Sequence, residues 1–440
     1  MEPVGSGFVH AGVASRTLRA LRHRNFRLFF FGQLTSLIGS WMQSLAQGWL
    51  VWRLTHSTTM LGLVGFCQFA PVLALGLLGG VAADRFDRHK LVIVTQTALL
   101  AQSVVLAALT LLGLIQVWQI LALALMLGTV NAFDMTARQA FLVQMVGRED
   151  LGNAIALNSS AFNGARILGP AIAGFVVQRW GEGTCFAVNS ASFLAVLGSL
   201  LAMRLDKQPP PTVPQSTWAY LKEGFVYAWR TPQVRHILGL LVASSLLALP
   251  YSFLLPAVVG GLLGRDASSL GVLWAFAGVG ALTAALAIAG KTHTRGLGRM
   301  AGFAAVGFGA LLVAFGLSSS FVLSCALITG LGFCMMTQLA STNTLVQHLS
   351  PEALRGRVVS LYVITFIGVS PIGGLIQGRM AKAVGLREVL VIGGLLGACS
   401  GLAFLATIPW VHRRMAALNR DAGLETEAPG PTHGPDKEGR

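Results

Sequence analysis

Twelve stretches of this chain are long and apolar enough to cross a bilayer, and nothing else in the sequence restricts its fold as tightly. A helix needs about 20 mostly apolar residues to span the hydrocarbon core, where only helices and closed barrels satisfy their backbone groups. The stretches lie near 26–50, 59–82, 91–113, 117–134, 152–177 and 182–203, then 235–259, 268–290, 300–317, 320–341, 357–377 and 388–409. The fourth and ninth are the weakest signals. Only 11% of the 440 residues are charged, against about a quarter in a soluble domain. The net charge of +15 would suit nucleic acid only as a basic face on a soluble scaffold. The expected partner is therefore the lipid bilayer, and nucleic acid is not one. The first apolar run follows a basic arm and is too long for a signal-peptide core, so it is expected to remain as a span.

Charge provides a test independent of hydropathy, because cytoplasmic loops are enriched in Lys and Arg. With the N-terminus placed inside, the first-half inside segments hold Arg16, Arg19, Arg22, Arg24 and Arg27; Arg85, Arg88 and Lys90; and Arg138 and Arg148. The central segment holds Arg204, Lys207, Lys222, Arg230 and Arg235. The later ones hold Lys291, Arg295 and Arg299; Arg355 and Arg357; and Arg413, Arg414, Arg420, Lys437 and Arg440. Outside lie only Arg53, Arg179, Arg265, Arg379, Lys382 and Arg387, and Arg166 falls within a span. One missed helix would invert every later loop and spoil this division. Twelve spans with both termini cytoplasmic are thus expected, in a bacterial-type inner membrane. Trp49, Trp52, Trp118 and Trp180 at outer ends and Trp410 at an inner end suit interfacial anchors.

The predicted architecture is all-α: a basic arm (1–25), a six-helix bundle (26–203), a cytoplasmic linker (204–234), a second bundle (235–410) and a tail (411–440). The linker opens with Pro209, Pro210, Pro211 and Pro214. Over 216–230, Trp218, Leu221, Phe225 and Trp229 then recur at helical spacing. Ser216 or Thr217 caps this helix and Pro232 ends it, and Lys222 and Arg230 suit a helix lying on headgroups. The tail from about 421 is rich in Pro, Gly and Glu without apolar period, a composition that stays disordered. The halves echo each other. Leu142, Val143, Gln144, Glu149 and Leu151 recur at one offset as Leu345, Val346, Gln347, Glu352 and Leu354. Parallel six-helix repeats with a site between them are one way secondary transporters are built.

Local motifs sharpen this. The loop after the second span reads Gly80-Val81-Ala82-Ala83-Asp84-Arg85-Phe86-Asp87-Arg88-His89-Lys90. It resembles the loop signature of the major facilitator superfamily through Gly80, Asp84, Arg85 and Arg88, with Asp87 at the second glycine and Ala82 at the leucine. The resemblance implies a cytoplasmic lock in which Asp84 meets the N-terminus of the eleventh span, where a carboxylate is favoured by the helix dipole. At the end of the fourth span, 132–140 reads Ala-Phe-Asp-Met-Thr-Ala-Arg-Gln-Ala. It is similar to the drug:proton antiporter-3 branch, which includes enterobactin and macrolide exporters. Asp134 and Arg138 share a helix face and, by that resemblance, join the gating network of Asp84. Gly169-Pro170 with Gly174 resembles an antiporter motif of the fifth helix, with Ala173 at its paired glycine. As hinge candidates these three join Pro250 and Pro256, which flank Tyr251 in the seventh span.

Polar residues inside spans mark the candidate pathway. Arg166 follows Asn153, Asn158, Ser159, Ser160 and Asn163 in the fifth span. An embedded charge costs several kcal/mol unless paired or hydrated, so Arg166 binds an anionic group, pairs with a carboxylate, or snorkels to an interface. Gln33, Ser36, Ser40, Gln43 and Gln47 form one stripe along the first span, and Thr337, Ser341, Thr344 and Gln347 another along the tenth. Each stripe either lines a cavity or hydrogen-bonds between helices. The five cysteines fall in apolar runs without metal-ligand spacing, and no phosphate loop or Gly-x-Ser-x-Gly occurs. No catalytic residue, metal or cofactor is expected. The resulting expectation is a monomeric carrier exporting a small amphipathic compound, such as a drug or siderophore, against protons by alternating access. A metabolite importer or symporter on the same fold, and a non-transporting membrane sensor, are the rivals. The coupling ion stays open, because Asp134 is the nearest ionisable candidate and no histidine lies mid-span.

Overall fold

The computed structural model describes residues 18–147, 149–204, 217–289 and 296–421, and these are all-helical apart from short turns. The first half comprises α1 (Arg24–Thr55), α2 (Thr58–Arg85), α3 (Arg88–Leu111), α4 (Val117–Val146), α5 (Leu151–Trp180) and α6 (Glu182–Leu201). The linker helix α7 (Thr217–Arg230) follows. The second half comprises α8 (Pro232–Leu262), α9 (Ala267–Ala289), α10 (Leu297–Leu317), α11 (Phe321–Leu349), α12 (Glu352–Val384) and α13 (Leu386–Asp421). Eleven described helices are long and apolar enough to cross a membrane. At 32 residues α1 is long enough, but its stripe of Gln and Ser lowers its hydropathy. The prolines of 209–214, the tail beyond Asp421 and the arm before residue 18 lie outside the described residues.

Two differences from the sequence reading have a common cause. Helix α4 continues to Val146, well past 134, and α11 to Leu349, past 341. Their last turns hold polar residues that a hydropathy window discards, although backbone bonding and packing continue them. Phe141, Leu142, Met145 and Val146 are buried with Phe26, Phe29 and Leu200 at the end of the first half that carries the start of α1. Val146 and Leu349 are themselves equivalent positions of the repeat. Likewise α13 extends to Asp421 rather than ending near 410, through the strong helix formers Arg413, Arg414, Met415, Ala416 and Ala417.

Helix α8 is broken twice. Wider π-type turns occupy Ser244–Ala248 and Val258–Leu262, around Pro250 and Pro256. Proline removes a backbone donor and leaves a carbonyl without its partner. Gln377 of α12 compensates, its Nε2 donating to Leu247 O at 2.7 Å and Leu246 O at 3.4 Å. Linker helix α7 is fixed to the second half by an ion pair between Glu223 and Arg357 and by Tyr227 Oη donating to Leu349 O at 2.6 Å. Its other face leaves Phe225 and Trp229 exposed and stacked, with Arg235 over the Trp229 ring.

Candidate functional site

The two halves meet along two seams built from small residues. On one, α5 crosses α9. A side chain at Gly174 would strike Ser268 O and Gly271 Cα, and one at Gly271 would strike Pro170 O. On the other, α2 crosses α12, where Gly62 presses on Gly374 and Gly378 on Thr58. Small residues let backbones approach within van der Waals range. Thr58 and Thr59 complete the second seam, their hydroxyls donating to Gly378 O at 2.8 and 3.2 Å. Helix α8 closes the same end, with Pro256 on Gly48 and Gly260 on Trp52. All these contacts lie at the end carrying Thr58, Trp180 and Ala267. At the opposite end, among the described residues, no hydrogen bond or ion pair joins the two six-helix halves.

That asymmetry explains the loop motif's geometry. Asp84 is half-buried, and among the described residues it has no ion-pair or hydrogen-bonded partner. Among the described residues no hydrogen bond or ion pair links it to α12. Arg85 is exposed. Arg88 ties the loop to α4, donating to Ala83 O and Ala140 O at 3.4 and 3.5 Å. Asp87, at the signature's second glycine, caps α3 by accepting from Lys90 N at 3.1 Å. A side chain at Gly80 would meet open space. The glycine that matters sterically is Gly79, pressed on Ala132 O and Thr136, which a motif centred on Gly80 passes over.

Asp134 is fully buried. Its Oδ1 accepts from Thr95 Oγ1 and Gln96 Nε2, both at 2.8 Å, and its Oδ2 lies 2.6 Å from Arg138 Nη2. The carboxylate therefore joins α3 to α4 within the first half, and among the described residues its polar partners do not come from α2. The sequence reading paired Asp134 with Arg138 but missed Thr95 and Gln96, which only the packing of α3 brings near.

The polar stripe of α1 is largely interior to the first half. Gln43 Oε1 accepts from Ser103 Oγ at 3.0 Å and Asn189 Nδ2 at 2.8 Å, while its Nε2 donates to Gln102 Oε1 at 3.2 Å. Gln33 and Ser36 are buried and Ser40 is half-buried. Thr337 and Ser341 of α11 are buried too, with hydroxyls lacking a partner. Asn163 donates to Ser159 O within its own helix at 2.9 Å. Beside α1, a side pocket of about 320 Å³ lies against α6, lined by residues including Thr35, Ile38, Met42 and Val188. It contains no charge to orient a polar solute.

Arg166 lies at the seam. On its face of α5, Phe162 and Gly169 both touch Trp41 of α1, the rings of Phe162 and Trp41 standing 5.8 Å apart. Trp274 of α9 meets the Trp41 ring edge-on at 5.7 Å. Tyr251 lies on α8, whose segment Tyr251–Ala257 packs on both α1 and α9. Among the described residues Arg166 has no hydrogen bond or ion pair, and no ring is stacked on it. Helix α5 thus carries an uncompensated charge along a stretch that packs on α1 of its own half and α9 of the other.

A half-and-half helical bundle with a charged seam is the build of a membrane carrier of the major facilitator superfamily. The chain belongs to the transmembrane secretion effector family, whose model matches residues 15–427. It is 24% identical over 381 residues to the Staphyloferrin A transporter of Staphylococcus aureus, covering 86% of this chain and 95% of that one. It is 25% identical to the multidrug efflux pump Tap of Mycolicibacterium fortuitum, over 83% of this chain and 91% of the pump. To the enterobactin exporter EntS of Shigella boydii it is 26% identical, over 85% and 91%. Among solved structures, the nucleoside transporter NupG aligns with a TM-score of 0.66 at 15% identity, covering 88% of this chain and 98% of that one. A bacterial Spinster homologue in an inward-facing, unoccupied conformation aligns with a TM-score of 0.66 at 14% identity, over 88% and 98%. These likenesses establish the fold. The protein is a transporter and not an enzyme.

Proposed function

We propose that this carrier exports a small amphipathic compound by alternating access, driven by protons, as a monomer with twelve spans and both termini cytoplasmic. The observation that carries the reading is the uncompensated Arg166 at a seam between halves that are joined at one end only. The division of Lys and Arg supports taking the joined end as the outer one; in this reading the unjoined end faces the cytoplasm, the side from which an exporter loads. The relatives named for siderophore export and multidrug efflux support the direction of transport. The setting is the bacterial cytoplasmic membrane.

In this reading rocking of the halves parts the glycine seams and brings the ends of α2 and α12 together. Asp84 then reaches the N-terminus of α12, where the helix dipole favours a carboxylate by about 0.3–1 kcal/mol. Asp134, buried with Arg138, is the group nearest to a proton site. The test is efflux from energised cells or inverted vesicles with a panel of macrolides, lipophilic cations and catechol siderophores. Uncoupler-sensitive efflux by the parent, lost in Arg166→Ala, is expected. Uptake of a metabolite without export of any compound would reverse the direction.

A further inference from the structure

Among the described residues of the spans, Asp134 is the acidic residue that lies away from a helix end, and Arg138 already neutralises it. Among the described residues, none therefore compensates Arg166. A lone cation deep in a span is costly, and the cheapest remedy is an anion supplied by whatever enters the seam. Guanidinium presents five donors in a planar fork that suits a carboxylate.

The surroundings specify the rest of the ligand. Trp41 and Trp274 stand edge-to-face at 5.7 Å, and Phe162 packs on Trp41 at 5.8 Å. Trp274 is half-buried, and its Nε1–H is sealed from solvent without an acceptor. An orphaned donor beside aromatic faces favours a flat ring carrying an acceptor. Tyr251 adds a phenol from the opposite half, held edge-on by Phe308 at 5.8 Å and Phe315 at 6.4 Å.

We propose that the seam binds an aromatic carboxylate, its anionic group on Arg166 and its ring between Trp41, Trp274 and Phe162. The assignment rests on reading the seam as the transport pathway, and it names the substrate class of that pathway. It excludes lipophilic cations as ligands of this site, because Arg166 repels them. The ligand touches both halves at once, so it biases the equilibrium between their arrangements.

Equilibrium binding to the full chain in lipid nanodiscs, followed by calorimetry, tests this without requiring transport. The probes are 1-naphthoate, neutral 1-naphthamide and cationic 1-naphthylmethylamine, which share one ring system and differ in charge. The acid is expected to bind about tenfold or more tighter than the amide, and the amine most weakly. Arg166→Gln brings acid and amide level, whereas Arg179→Gln, on the exposed outer end of α5, leaves the preference intact. Trp274→Phe weakens acid and amide alike, which places the ring even if Arg166→Gln does not fold. Equal binding of acid and amide by the parent, binding of none of the three, a preference that survives Arg166→Gln, or indifference to Trp274→Phe would each overturn the proposal. A carrier that exports compounds from cells yet fails this series keeps the export reading and loses this one. Binding of the acid without any export does the reverse.

Discussion

Asp134 shows how much a single residue in this fold depends on its neighbours. Three partner atoms from α3 and α4 surround its carboxylate, and Arg138 is itself only 23% exposed. Removing one member of a buried pair leaves the other uncompensated, at a cost of about 3–5 kcal/mol. Asp134→Leu should therefore lower the melting temperature of the purified carrier more than Asp134→Leu combined with Arg138→Met. The difference should correspond to a coupling of about 1–3 kcal/mol, and additive losses would show that the pair is not coupled. A second residue-scale expectation concerns Arg53, whose Nε and Nη2 bond both oxygens of Glu182 at 2.7 and 3.1 Å. Glu182 is buried and Arg53 half-exposed. Glu182→Gln should weaken the α1–α6 junction, read as faster hydrogen exchange at the start of α6. At this scale the sequence marked the polar residues within the spans but not their partners. Spacing of three and four put Gln43 on a polar stripe, whereas its bonds to Gln102, Ser103 and Asn189 depend on how three distant segments pack.

Among the elements, the seams and the broken helix are the decisive features. The approach of Gly174 to Gly271 leaves no room for a side chain on either backbone. Gly271→Val should hold α5 and α9 apart, so that a cysteine-reactive membrane-impermeant reagent applied from outside labels a cysteine placed at Trp274. Protection equal to that of the parent would mean that the seam tolerates the bulk. In α8, Gln377 satisfies carbonyls that the π-type turn and Pro250 leave free. Gln377→Leu should cost about 1–3 kcal/mol through those unsatisfied groups, measured as a fall in thermal stability, with expression retained. Hydropathy located the helices, most of their ends within a few residues, although α12 and α13 run well beyond the expected bounds. It shortened α4 and α11, since a polar final turn is indistinguishable from a loop until its packing is known. The two prolines announced a distortion of α8, but not that α12 would brace it.

On the scale of the whole molecule, the arrangement to test is the asymmetry of the two ends. Spin labels at Arg85 and Arg355, both exposed at the unjoined end, should report a long distance in this conformation and a second, shorter one when the halves close there. Thr58→Ala combined with Thr59→Ala removes the two cross-half hydrogen bonds and should raise the population of the short distance. A single unchanging distance under all conditions would exclude the rocking motion.

The sequence by itself determined that the chain is a helical membrane protein with a duplicated plan, because apolar length, loop charge and the recurring Leu-Val-Gln signature are local and additive along the chain. It also singled out Arg166, since a charge in an apolar run is conspicuous without any structure. Only the tertiary structure decided which helices pack beside that charge, which end of the halves carries the close contacts, and that Thr95 and Gln96 join Arg138 as partners of Asp134. Those facts depend on contacts between helices far apart in the chain, and a linear pattern records which face of a helix is polar without recording its neighbour.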